Sequence, residues 1–246
     1  MQAVAYEIME QTEGSYWWYR ARREIIASTI VRTVPRGSDI IDFGCGTGCT
    51  AGVLKHLGYK VVVADISEEV LEACRNRGLT AINLETEDLA DHAADCVLAG
   101  DVLEHLHDDV STLWMLHRKL RPGGLLLATV PAYEFLWSGE DYVSEHVRRY
   151  TRSMLKRRLR SGGFQPLRCS YFNSLLFPLV LAVTLGKRMF FPREMYHSDV
   201  KPLPEWQNEL LYRLFAFERH LLRWLTFPVG TSLLIVAQAV NLEQTA

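Results

Sequence analysis

Short, almost unbroken apolar runs recur along this chain, and stretches of helical period lie between most of them. The runs are Ile40–Phe43, Val61–Ala64, Thr80–Ile82, Cys96–Ala99 and Leu125–Val130, and the helical stretches are Cys49–Leu57, Glu68–Arg77 and Asp109–Leu120. Strands that are apolar on both faces and separated by helices predict a parallel sheet covered on both sides. Arg121-Pro122-Gly123-Gly124 reads as a tight turn into the fifth strand. Thr151 is placed to cap a helix running to Arg160, Gly162-Gly163 stops it, and Phe164–Phe172 follows as a sixth strand. A last strand is expected at Thr231–Val240.

Two segments fall outside this alternation. Residues 1–35 read as one or two helices, with Trp18, Ile25, Ile26, Thr29 and Ile30 on one face and Pro35 with Gly37 closing the segment. Arg22 falls on that same apolar face, so it needs a partner. Residues 173–230 are rich in aromatic residues and proline and read as an insertion. Within it, Glu209–Phe227 has a helical period. Leu210, Leu211, Leu214, Phe215, Phe217, Leu221, Leu222, Trp224 and Leu225 lie on one broad face, and Tyr212, Arg213, Ala216, Arg219, His220 and Arg223 on the other. Glu218 sits inside the apolar stripe, where a carboxylate has a cationic or hydrogen-bonding partner or a raised pKa; pairing with a buried arginine is the favoured reading and facing an acceptor the alternative. Lys187, Arg188 and Arg193 flank Phe190 and Phe191. A lid over the site or a surface for a homodimer is the leading reading of the insertion, and peripheral membrane contact is the other.

Composition narrows the picture only a little. A net charge of -2 gives no global attraction to nucleic acid, so no nucleic-acid partner is expected. Five cysteines, at 45, 49, 74, 96 and 169, have no metal-site spacing and favour a reduced, cytoplasmic setting. The polar start of the chain does not read as a signal peptide. The apolar run Leu175–Leu185 is interrupted by Pro178 and is too short for a membrane span.

The candidate chemistry begins where the first strand ends. Ile40-Ile41-Asp42-Phe43-Gly44-Cys45-Gly46-Thr47-Gly48 runs from apolar residues through an acid into a loop with glycine at every second position. Missing side chains let a ligand lie against the backbone. Asp42 puts negative charge where a phosphate loop would want none, so the loop suits a cationic or amino-bearing nucleoside. A nicotinamide-dependent dehydrogenase would place its third glycine at position 49, where this chain has Cys49.

Four blocks in order resemble the class I S-adenosylmethionine-dependent methyltransferases, in the broad bacterial small-molecule branch that includes ubiquinone-biosynthesis O-methyltransferases. They are Ile41–Gly48, Val61–Ser67, Asp95–Leu106 and Leu120–Gly124. The resemblance implies S-adenosylmethionine as cofactor. It implies that the Gly44, Cys45 and Gly46 backbone lies along the methionyl part, and that Asp42 faces its amino group. Asp65 would accept from the ribose hydroxyls, Ile66 would cover the adenine, and Leu84 or Glu85 would meet its edge. Gly100 and Asp101 would stand beside the sulfonium. Arg22 or Arg23 would either reach the cofactor carboxylate or form a structural salt bridge.

The acceptor side is less explicit. His105, in Asp101-x-x-Glu104-His105, and His146, after the aromatic loop from Pro131 to Tyr142, are the candidate general bases. Some relatives hold a divalent metal on the acid-x-x-Glu-His group, but a metal is not the expectation here. Arg148 and Arg149 are either ligands for an acidic acceptor or solvated.

The expected fold is α/β, a Rossmann-like three-layer sandwich whose seven-stranded, mostly parallel sheet has an antiparallel last strand. Residues 1–37 form an N-terminal helical lid, 38–172 and 231–246 the cofactor-binding core, and 173–230 the helical insertion. The expected activity is methyl transfer to a small-molecule acceptor, apolar or aromatic, at oxygen. The alternatives are carbon or nitrogen methylation of a lipid-like acceptor at a membrane, and a non-catalytic cofactor-binding adaptor.

Overall fold

Seven strands form one sheet in the order β3-β2-β1-β4-β5-β7-β6 in the computed structural model, which describes residues 11–190, 200 and 202–240. The strands are β1 (Asp39–Phe43), β2 (Lys60–Asp65), β3 (Thr80–Asn83), β4 (Ala94–Gly100), β5 (Leu120–Pro131), β6 (Phe164–Phe172) and β7 (Ser232–Ala239). β1 to β5 pair in parallel, and β7 lies antiparallel between β5 and β6. The α/β expectation, with an antiparallel last strand, is met.

The period of two along each strand sorts side chains into two cores. Ile40, Cys96, Leu98, Leu234 and Val236 pack on one face with α1 (Trp17–Thr33), α2 (Cys49–His56) and α3 (Glu68–Asn76), through residues such as Ile25, Leu54 and Leu71. Ile41, Val97, Ala99, Leu233 and Ile235 pack on the other with α4 (Asp109–Lys119), through Leu113 and Leu116. A short α5 (Gly139–Val143) follows β5, and α6 (Arg152–Ser161) adds Leu155 and Leu159 to the second core. The caps are those the sequence signals. The Thr151 hydroxyl accepts from the Met154 amide, and Asp108, ahead of α4, accepts from the Ser111 amide at 3.0 Å.

Three expectations need correction. Arg121–Gly124 does not precede the fifth strand but bulges within β5. Leu120 already pairs with Ala94, and the ladder resumes at Cys96 with Leu125. Gly123, at φ +77, turns the extra residues outward. The helix predicted at Glu209–Phe227 is Glu205–Leu221. It ends early because the Arg168 guanidinium takes the carbonyls of Leu222, Arg223 and Leu225, and Phe227 bridges to Tyr171. We number it α8, after α7 (Phe177–Phe190). Phe191 and Arg193 lie outside the described residues.

The third correction concerns Glu218, whose partners are backbone amides and not an arginine. Its Oε1 accepts from Ser174 N at 2.6 Å and Leu175 N at 2.7 Å, tying the approach to α7 onto α8. Burial pushes this carboxyl up to about 7 against the pull of those amides. A carboxyl raised in the folded state favours folding below its unfolded pKa and loses that contribution as pH climbs through the folded one. The stability difference between Glu218→Gln and the parent is therefore expected to grow by up to about 3 kcal/mol from about pH 4 to 8, in favour of glutamine. Urea midpoints measured across that range check it; parallel profiles for the two proteins would contradict it.

Candidate active site

The sheet order reverses between β1 and β4, and a crevice opens there at the carboxyl ends of the parallel strands. It is a cavity of about 500 Å³ lined by the loop after β1, the start of α1, the turn after β4, the segment around α5 and parts of the insertion.

One half of it is built from the glycine loop. Gly44 has φ +67, and a Cβ there would sit 2.5 Å from Val102 Cγ2, so both backbone and space demand glycine. Asp42 is the penultimate residue of β1, just before this loop. It is buried, and its Oδ2 has no hydrogen-bond partner among the described residues. Burial pushes its carboxyl up to about 7, although the Arg22 charge pulls the other way. Asp65, at the end of β2, is also buried, and its Oδ1 accepts from Ile66 N at 2.8 Å and Ser67 N at 3.1 Å. Burial raises this carboxyl too, against those backbone bonds. Ile66 is exposed at the cavity mouth, and Leu84 contributes to the wall. Gly46, Cys45 and Gly100 line the same space.

Glu85 does not line the cavity. Its side chain is exposed, and its amide is turned onto Asn83 Oδ1 at 2.9 Å. Of the two candidates for the adenine edge, Leu84 lines the cavity and Glu85 does not. A buried carboxylate under a glycine cradle, with one oxygen lacking a partner among the described residues, fits the ammonium of an aminoacyl group. Asp65 and Ile66 fit a ribose and a base further along, so the residues present suit S-adenosylmethionine.

Arg22 reaches from α1 to the ends of β4 and β5. Its Nε lies 2.5 Å from Asp101 Oδ2, Nη2 donates to Thr129 Oγ1 at 3.1 Å, and Thr129 Oγ1 donates to Asp101 Oδ1 at 3.0 Å. A Cβ on Gly100 would stand 2.7 Å from Arg22 Nη2, so that glycine makes room for the guanidinium. Arg22 thus takes the salt-bridge alternative while still facing the cavity, and it latches the N-terminal helix over the site. Arg23 donates to the Glu13 carbonyl at 3.1 Å.

The other half of the cavity carries the two histidines. The His105 and His146 rings meet edge to face, with centroids 4.7 Å apart. Burial, then the neighbouring His146, pushes His105 down to about 4, which keeps it neutral near pH 7. His146 Nδ1 lies 2.8 Å from Asp141 Oδ1. Asp141 is fully buried and is clamped by Arg149, whose Nε and Nη2 each donate to it at 2.7 Å. Burial opposes its ionisation, but the His146 and Arg149 hydrogen bonds prevail and hold it down at about 2. Arg149 is therefore neither solvated nor free for an acceptor. Arg148 pairs with Asp109 at 3.1 Å.

Glu104 completes this end. It is fully buried, neither side-chain oxygen has a hydrogen-bond partner among the described residues, and burial raises its carboxyl well above the usual range. Ligand atoms of Glu104, His105 and His146 lie within 4.8 Å of one another, a grouping able to hold a metal ion. It differs from the acid-x-x-Glu-His reading, because Asp101 is engaged by Arg22. Tyr16 to Tyr19 of the N-terminal segment, Leu136, and Val180 and Val200 of the insertion wall the remaining space.

Asp141 and Glu13 are the site residues that the sequence reading did not single out. Glu13 accepts from the Thr47 hydroxyl of the glycine loop. Asp141 had a visible signal in Ser138-x-x-Asp141, which forms a capping box on α5. Its link to His146 and Arg149 appears only once the loop closes.

The methyltransferase-domain family matches residues 17–168. A ubiquinone biosynthesis O-methyltransferase of Methylocella silvestris is 35% identical over 128 residues, which are 46% of this chain and 50% of that protein. A ubiquinone/menaquinone biosynthesis C-methyltransferase of Escherichia coli is 34% identical over 130 residues, 46% of this chain and 52% of that one. The chain spans about half the length of these two relatives. Among solved structures, a chain of the Haloferax volcanii complex between the Trm112 methyltransferase activator and a methyltransferase is similar with TM-score 0.63. It has 18% identity and covers 97% of this chain and 95% of that one. The 1,6-didemethyltoxoflavin-N1-methyltransferase of Burkholderia thailandensis has TM-score 0.54 and 16% identity, covering 91% and 81%. At these identities the structures speak for the fold alone. With the family match over most of the chain and the glycine loop, Asp42 and Asp65 in one cavity, the chain belongs to the methyltransferase-domain family, as a class I S-adenosylmethionine-dependent methyltransferase domain.

Proposed function

We propose that this protein transfers a methyl group from S-adenosylmethionine to a hydroxyl oxygen of a small apolar or aromatic acceptor. When bound, S-adenosylmethionine supplies a methyl group on a positively charged sulfur. Asp42, the Gly44–Gly48 backbone, Asp65, Ile66 and Leu84 are the residues that would hold it.

The observation that carries the choice of oxygen is the buried Asp141–His146 pair opening onto the cavity. A hydroxyl must lose its proton as its oxygen gains a methyl group, whereas a neutral amine attacks through a free lone pair. Asp141 accepting from Nδ1–H leaves His146 Nε2 as the proton acceptor, and the carboxylate stabilises the resulting imidazolium. The aromatic start of α1 and the insertion exclude water and favour an apolar acceptor body, with which Leu136 and Val180 agree.

Incubation with methyl-labelled S-adenosylmethionine and matched phenolic, aliphatic hydroxyl and amine acceptors tests the reading. The label is expected in an ether. A label found on nitrogen or carbon, with hydroxyl acceptors inert, would replace it.

A further inference from the structure

The insertion turns apolar side chains toward solvent on both of its helices. On α8, Phe215 packs inward on Trp17 with ring centroids 5.9 Å apart. Trp206, Leu210, Leu214 and Phe217 recur every three or four residues on another face and are 40–67% exposed. Trp224 follows at 79%. On α7, Leu179 and Val183 are about half exposed, and the side chains of that helix are apolar nearly all round. An exposed apolar stripe that runs along α8 toward Trp224 and Leu225 mostly marks a binding face.

Charge at the end of α8 says what binds. Arg168 is bonded to the turn that carries Arg223, and none of Arg32, Arg168 and Arg223 forms an ion pair with a carboxylate among the described residues. Arg32 donates to Ser28 Oγ at 2.7 Å and Thr29 Oγ1 at 3.2 Å, Arg168 takes the carbonyls that close α8, and Arg223 sits 5.3 Å from the Trp224 ring centroid. Burial pushes the Arg32 pKa down, and the charges of Arg168 and Arg223 act in the same direction. Three guanidiniums without an acid, beside exposed Leu167, Trp224 and Leu225, match an anionic head group with an apolar tail.

We propose that this face docks on the surface of an anionic phospholipid bilayer, with Arg32 and Arg223 at the lipid phosphates and the exposed side chains of α8 in the acyl boundary. No helix among the described residues is long and apolar enough to cross a membrane, so the contact is peripheral. A second copy of this chain fits less well. A two-fold interface sets the same patch against itself and opposes two like-charged clusters. Val180 and Val200 of the insertion also line the acceptor cavity, so docking brings that wall to the lipid. The extension to a lipid-borne acceptor rests on the methyl-transfer reading; docking itself does not.

Flotation of the full chain with vesicles of phosphatidylcholine, alone or with added phosphatidylglycerol, tests the proposal. Binding is expected only to the anionic vesicles, weakening as salt is raised. The double substitution Arg32→Glu and Arg223→Glu should cut partitioning at least about tenfold, and Leu214→Asp with Phe217→Asp should abolish it. Calorimetric binding of S-adenosylmethionine, unchanged in these variants, shows that they fold, and it tests the cofactor reading separately. Absence of flotation at low salt overturns the proposal, as does equal flotation with neutral vesicles. Light scattering that finds a dimer lost in Leu214→Asp/Phe217→Asp, without vesicle binding, assigns the face to a second copy instead.

Discussion

Replacing His146 with alanine is expected to lower kcat by about 10²- to 10⁴-fold while cofactor affinity stays near the parent value. The size follows from the task. Alignment and exclusion of water remain in the variant, and only the group that takes the hydroxyl proton is lost. His105 does not replace it, since a ring pushed down to about 4 is a weak base at neutral pH. His105→Ala should therefore cost less in kcat than His146→Ala. Asp141 stays ionised throughout the working range, because it is held at about 2. Asp141→Asn keeps the shape of the side chain but removes the charge that stabilises a protonated His146 and leaves Arg149 without its partner. Its loss of kcat should be of the same order, with a stability cost of about 3–5 kcal/mol from the unpaired buried guanidinium. Single-turnover rates on a phenolic acceptor, with calorimetry of the cofactor in parallel, separate the two effects. An unchanged kcat in His146→Ala would remove the general base from the reaction.

The cofactor half of this site was legible in the sequence because local constraints build it. Asp42, Gly44 and Gly46 are neighbours on one strand-to-loop transition, and Asp65 ends the next strand, so chain order alone brings them together. The acceptor half depends on contacts that no short window contains. Asp141 acquires its role from Arg149, eight residues on, and from a capping box that reads as a helix signal. Arg22 looked equally able to meet a cofactor carboxylate or an acid of the protein. Only the packing of α1 across β4 and β5 brought it to Asp101. The single broad apolar face expected on α8 divides in the fold. Phe215 packs on α1, Leu210, Leu214 and Phe217 face water, and Ala216, expected on the polar side, is buried. Periodicity counts apolar positions, but it does not say how many neighbours a helix will have.

Asp42→Asn is expected to weaken S-adenosylmethionine binding by about 10- to 150-fold, the value of about 1.5–3 kcal/mol for a hydrogen bond to a charged group. Asp42 Oδ2 is buried without a partner among the described residues, and burial pushes the carboxyl up to about 7. An ammonium placed against it supplies the missing donor and a compensating charge, and both draw the pKa down. Below about pH 7 the free protein holds a proton on Asp42 that the complex releases. Affinity should then fall up to about tenfold per unit as pH drops from about 7 toward 5.5, where the α-amino group of the ligand is fully protonated. Calorimetry in two buffers of different ionisation enthalpy reads that proton directly. The parent should release up to one proton at about pH 6, and Asp42→Asn should release less, with a flatter pH profile. Proton release that is the same in both proteins would place the titrating group elsewhere, and a pH-independent affinity in the parent would mean that Asp42 does not face the amino group. Asparagine can still accept one hydrogen bond from the ligand, so the affinity that remains in the variant measures the geometry of the contact, and the part that is lost measures its charge.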